Sequence, residues 1–106
     1  MPVTFVRKTV NFGTRNPRGN ENQINFFTEH TFGRRITKAE TVLNGFRLRF
    51  TNSDHHLETL QMDTDAIIDD VNRGTVTARI QVMLADKNAD DPFNGWATVI
   101  IFVEYE

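Results

Sequence analysis

Thr75-Val-Thr-Ala-Arg-Ile-Gln-Val-Met-Leu84 decides how this chain folds. Val76, Ala78, Ile80, Val82 and Leu84 alternate with Thr75, Thr77, Arg79, Gln81 and Met83. A period of two places one set on a buried face and the other in water, which describes a half-buried β-strand. Phe46, Leu48 and Phe50 alternate with Arg47, Arg49 and Thr51 in the same way. Ile24, Phe26, Thr28, His30 and Phe32 give a weaker third case, Val6, Val10 and Phe12 mark an N-terminal strand, and Leu57, Leu60 and Met62 mark a short one over 57–62. Nowhere do apolar residues hold a helical period across three turns. The expected fold is an all-β protein, a small antiparallel β-sandwich of about six strands formed by residues 1 to 106 as one domain.

The last stretch, Trp96-Ala-Thr-Val-Ile-Ile-Phe-Val-Glu-Tyr105, is apolar on both faces, and both faces need cover. Large exposed apolar patches are rare on monomers. The stretch therefore predicts a homo-oligomer with Val99, Ile101 and Val103 at the interface; a central strand covered on both sides within the domain is the competing reading. Between strands, Gly13 to Asn22 is a polar loop, Asn72-Arg-Gly74 a tight turn, and Asp90-Asp-Pro-Phe-Asn-Gly95 a hairpin connection between the last two strands. Thr37-Lys-Ala-Glu40 has the spacing of a helix capping box. The reading adopted instead is one long strand over 39–51 with a bulge at Gly45.

Composition narrows the function. The chain has 106 residues, no cysteine and a formal charge of −2, which excludes disulfide scaffolds, thiolate metal sites and thiol nucleophiles. No apolar run reaches the length of a membrane helix, and the first residues lack a secretory signal pattern, so a soluble protein of unspecified compartment is expected. Residues 1 to 50 carry nine Lys or Arg against three Glu, and residues 51 to 106 carry three against eleven acids. Such asymmetry arises when basic strands face acidic ones within a sheet or across subunits, or when one half binds a polyanion. Arg15, Arg18, Arg34 and Arg35 near Phe26, Phe27 and Phe32 have the composition of a single-strand binder. The acidic balance and the core-like phenylalanine pattern argue against nucleic acid.

Ser53-Asp54-His55 holds the parts of a hydrolase triad, but neighbouring side chains diverge and cannot converge on one substrate. Ser53 is the only serine, no paired-carboxylate spacing stands out, and no phosphate loop is present. A non-enzymatic protein is expected. Asp54, His55 and His56 form a polar loop suited to ligand contact. Asp86, Asn88, Asp90 and Asp91 resemble the first half of a calcium loop, but Asp91 stands where such a loop needs Gly and Ala97 where it needs Glu. Weak calcium binding with Asp54 as an added ligand, or simple turn capping, are the two readings. Trp96 beside amides and carboxylates is the kind of residue that stacks on a sugar face; a core anchor at the start of the last strand is the alternative.

Several segments resemble the H-type lectin domain. Val42-Leu-Asn-Gly-Phe46 is similar to that family's strand ending in Leu-x-Gly-Phe, and His56-Leu-Glu-Thr-Leu60 to its next short strand. Thr77 to Asp86 resembles its long strand ending near an Asp, and Gly95-Trp-Ala-Thr-Val-Ile-Ile101 its closing strand. The resemblance runs from about Phe32 to Val103. It implies a six-stranded sandwich that binds sugars and assembles as trimers or hexamers, with Asp86 as a sugar ligand. Glu58 stands where the family has a sugar-binding Arg, and Leu84 where it has an aromatic residue, so the family's sugar specificity does not transfer. The ligand-binding residues expected are Asp54, His55, His56, Asp86, Asn88 and Trp96, for a carbohydrate or another small polar ligand. The competing function is a structural or assembly subunit that makes only protein contacts.

Overall fold

A computed structural model describes residues 2–13, 24–50, 59–85 and 93–106. Six antiparallel strands form two three-stranded sheets, and no helix occurs among the described residues. Strands β1 (Val3–Asn11), β3 (Ile36–Phe50) and β6 (Phe93–Tyr105) make one sheet in the order β1-β6-β3. Strands β2 (Ile24–Thr31), β4 (Thr59–Asp70) and β5 (Thr75–Ala85) make the other in the order β2-β5-β4.

Each central strand brings one face of its alternation to the space between the sheets. Val76, Ala78, Ile80 and Val82 of β5 are fully buried, and opposite them lie Ala97, Val99, Ile101 and Val103 of β6. Burying one Ile or Val side chain stabilises a fold by about 1.5–3 kcal/mol, so these two rows are the main source of cohesion. Phe12 and Phe26 close one end with rings stacked 4.2 Å apart, and Ile36 fills another gap. Thr41 on β3 donates to Thr64 on β4 at 3.1 Å, tying the sheets together.

The alternation predicted for β5 and for 46–50 is borne out by the pairing, and so is the bulged strand. The β3–β6 register slips between Leu43 and Gly45, leaving Asn44 without a partner. Before the slip, Ala39, Thr41 and Leu43 oppose the inward-facing residues of β6; after it, Phe46 and Leu48 do. The turn at 71–74 is also present. Gly74 sits at φ 72° and donates to the Asp70 carbonyl at 2.9 Å, while the Asp70 carboxylate accepts from the backbone of Asn72 and Arg73. A Cβ on Gly74 would collide with the Arg34 carbonyl, so position and dihedral both demand glycine.

Three expectations are corrected. β4 runs to Asp70 rather than ending at residue 62, because Asp63 and Asp65 face solvent while Thr64, Ala66 and Ile68 oppose inward residues of β5. Acids on the wet face of a strand hide its period. The connection between the last two strands is not a hairpin, because β5 and β6 lie in different sheets, and Asn94 and Gly95 are within β6, opposite Arg49 and Leu48. Gly95 is required because a Cβ there would strike the Arg47 carbonyl, the close backbone approach that glycine permits in a strand.

The third correction concerns the oligomer interface. Val99, Ile101 and Val103 are 0 to 1% exposed in a single chain, so they form its own core and are unavailable to another subunit. The side chains of β6 that face away from the core are Trp96, Thr98, Ile100, Phe102 and Glu104. The last strand does have two apolar faces, and Val99, Ile101 and Val103 lie on the one that forms the domain's own core.

Candidate functional site

The outer face of the β1-β6-β3 sheet carries two distinct zones. Where β1 and β3 end and β6 begins, cross-strand pairing puts Asn11, Trp96 and Arg47 in one row, with Arg49 opposite Asn94 in the next. Directly opposed side chains in an antiparallel pair share a face and lie within reach of one another. Together with Gly13 and Gly95 these residues line a cleft of about 340 Å³. The Phe12 amide donates to the Gly95 carbonyl at 2.9 Å, fixing the end of β1 against this corner.

Trp96 is 38% exposed, so it is neither a core anchor nor a free surface side chain. Its Cζ3 lies about 4.0 Å from where a Cβ on Gly45 would stand, so the ring lies beside the bulged segment of β3, where a glycine leaves it room. Arg47 and Arg49 point to the same side because a strand repeats every two residues, with Cα atoms roughly 6.6–7 Å apart. Among the described residues neither arginine makes a hydrogen bond or an ion pair. Other arginines are engaged: Arg79 grips Asp65 with two hydrogen bonds of 2.9 and 2.6 Å, Arg35 reaches Asn72 and Glu106, and Arg34 lies 4.4 Å from the centre of the Tyr105 ring.

At the other end of the same face the surface is apolar. Val3, Phe5 and Val42 are exposed, Phe5 by 60%, and the Phe5 and Phe102 rings touch at 5.6 Å between centres. Ile100 lies between them, opposite Arg7 on one side and Val42 on the other. A shallow pocket of about 240 Å³ opens here beside Lys38, Glu40 and Glu104.

Of the site residues expected from sequence, Trp96 is where a ligand can reach it. Asp54, His55, His56, Asp86, Asn88, Asp90 and Asp91 lie outside the described residues, and so does the proposed calcium loop. Among the described residues no group of three His, Asp or Glu could hold a metal ion. The described neighbours of Trp96 are arginines and asparagines, whereas sequence reading had placed carboxylates beside it. Arg47 and Arg49 were legible as the wet side of a strand, but nothing linear joined them to a tryptophan some fifty residues away.

Two further expectations resolve differently. Basic and acidic residues divide between the sheets only in part: Arg7, Lys38, Arg47 and Arg49 belong to the β1-β6-β3 sheet together with Glu40 and Glu104, while Glu29, Asp63, Asp65 and Asp70 belong to the other, where Arg79 opposes Asp65. Of the residues suggested for nucleic acid, Arg15 and Arg18 lie outside the described residues, and Phe26 and Phe27 lie apart from the recess that Phe32 and Arg34 share. Phe26 is buried in the core, Phe27 projects from the outer face of the β2-β5-β4 sheet, and Arg34 stacks on Tyr105.

A second recess of about 370 Å³, between β1 and β2, includes His30, Phe32, Arg34 and Tyr105. The His30 ring meets Phe32 edge-on at 4.7 Å. Burial, and secondarily the charge of Lys8, hold the His30 imidazole below its ordinary pKa, so it stays neutral further into the acidic range.

Compared with models of known protein families, with curated proteins and with solved structures, the chain matches none. Among the described residues no helix is long and apolar enough to cross a membrane.

Proposed function

We propose that this protein is a non-enzymatic binding module of lectin-like character, which recognises a carbohydrate or a polar ligand of similar size through the cleft at Trp96. The observation that carries this reading is a partly exposed tryptophan among hydrogen-bonding side chains on a rigid sheet: the ring offers a flat apolar face, and Asn11 and Asn94 offer both donors and acceptors. Ligand sites combine apolar walls with a few placed polar groups in this way. A glycan array is the test, with wild type and Trp96→Ala side by side. Signal on the wild type and loss in the variant support the proposal, and a blank array removes it.

The apolar zone of Val3, Phe5, Val42, Ile100 and Phe102 favours self-association as part of the same reading. Copies meeting there would leave the Trp96 end of the sheet free, and several weak sites on one particle would act with avidity. The trimer or hexamer implied by the lectin resemblance fits this arrangement. The second reading, a structural subunit with protein contacts only, rests on the same zone. Sedimentation separates the pair when combined with the array: a large assembly with no glycan signal selects the second.

A further inference from the structure

The cleft at Trp96 has a charge that a neutral sugar would not use. Arg47 and Arg49 line it on one side, both without side-chain partners among the described residues, and none of its described lining residues is acidic. Guanidinium groups are suited to carboxylate and sulfate, which accept two parallel hydrogen bonds from a planar donor. Two arginines beside one aromatic ring, unpaired among the described residues, form a receptor with an anion-binding half and a stacking half.

We propose that this cleft takes an acidic sugar residue, with Trp96 stacking on the ring while Arg47 and Arg49 hold its carboxylate or sulfate. The proposal rests on the carbohydrate reading above and narrows it to anionic saccharides. Asn11 and Asn94, across the row from the arginines, are placed to take the hydroxyls. The cleft, about 340 Å³, lies at the small end of ligand sites and suits one or two sugar units. A single-stranded nucleic acid is the other polyanion to weigh. It needs a basic groove with several successive stacking rings. Here one ring stands alone, and the same face continues into an apolar zone containing Glu40 and Glu104.

Trp96 is the only tryptophan in the chain, so its fluorescence reports this cleft and nothing else. The test titrates the full chain with oligosaccharides in matched pairs, each with and without a terminal carboxylate or sulfate, and with a single-stranded oligonucleotide. The acidic member should perturb Trp96 at concentrations at least roughly ten-fold lower than its neutral twin, since hydrogen bonds to charged groups carry that much. The preference should shrink as salt rises and collapse in Arg47→Gln/Arg49→Gln. Both arginines are exposed, and retained β circular dichroism and melting confirm that the double variant is folded. Equal affinity for the two members, unmoved by the double variant, overturns the inference and leaves the carbohydrate reading intact. Failure of every sugar to bind overturns both. Binding of the oligonucleotide in preference to all sugars also overturns both, in favour of nucleic acid.

Discussion

The two sheets share an interior and differ on their outer faces. The β2-β5-β4 sheet presents Glu29, Asp63, Asp65 and Asp70 to water, with the doubly bonded Arg79–Asp65 pair and two isolated apolar side chains, Phe27 and Ile67. That pairing raises the Arg79 pKa above its ordinary value. The β1-β6-β3 sheet presents a connected apolar zone and a cleft with unpaired cations. On the first surface Asp63, Asp65, Asp69 and Asp70 each accept a hydrogen bond from a neighbour. The second carries exposed apolar area and arginines without side-chain partners among the described residues, and it is the side on which we place the proposed binding.

The sharpest way to break this comparison uses adjacent residues of β6. Ile101→Asp buries a carboxylate between the sheets without a partner and should abolish folding, read as loss of the β circular dichroism signal. Ile100→Asp, on the outer face, should stay folded and shift an oligomer to monomer on a sizing column. If both variants behave alike, the assignment of faces is wrong. Next in size, Ile80→Ala removes a fully buried side chain from the opposite sheet and should cost about 2–5 kcal/mol in denaturant unfolding. A negligible loss would place that residue outside the core.

Gly95→Ala should follow at about 1–3 kcal/mol, because its Cβ cannot pass the Arg47 carbonyl without moving β3. It should also weaken whatever binds beside Trp96, so stability and affinity fall together. The smallest effect is titration of His30. Its folded pKa lies below the ordinary value near 6.5, so between the two the unfolded chain binds the extra proton. Its contribution is complete above the ordinary value and is lost as the pH falls toward the folded one. The melting midpoint should therefore drop as the pH falls through the ordinary value near 6.5 toward the lower folded one, and His30→Gln should flatten that slope. An unchanged slope in the variant would assign the effect to other groups.

Much of the fold was legible in the chain. The alternation in β5 and over 46–50, the bulge, and the turn at Gly74 all follow from residue period and turn chemistry. The end of β4 was hidden because its wet-face acids resemble a loop. The choice of apolar face on β6 was hidden for a different reason: when both faces are apolar, period two says that they alternate and not which is inside. The neighbours that pair with the strand settle that, and they come from the two ends of the chain's first half. The same holds for the cleft. Trp96 was recognisable as a rim residue, but its setting with Asn11, Arg47 and Arg49 exists only after three strands have aligned.

The extra residue at Asn44 has a consequence for how this protein can change. It exchanges inside for outside halfway along β3, so the strand is written in two phases, much as a gene is read in frames. Losing that single codon would leave Leu43 opposite Val99 and Gly45 opposite Thr98 in plain alternation, so Phe46 and Leu48 would stay inside and Arg47 and Arg49 outside, with every other amino acid unaltered. A one-residue deletion at this spot is therefore tolerable, whereas a single insertion or deletion elsewhere in the strand would have to be absorbed by a bulge of its own.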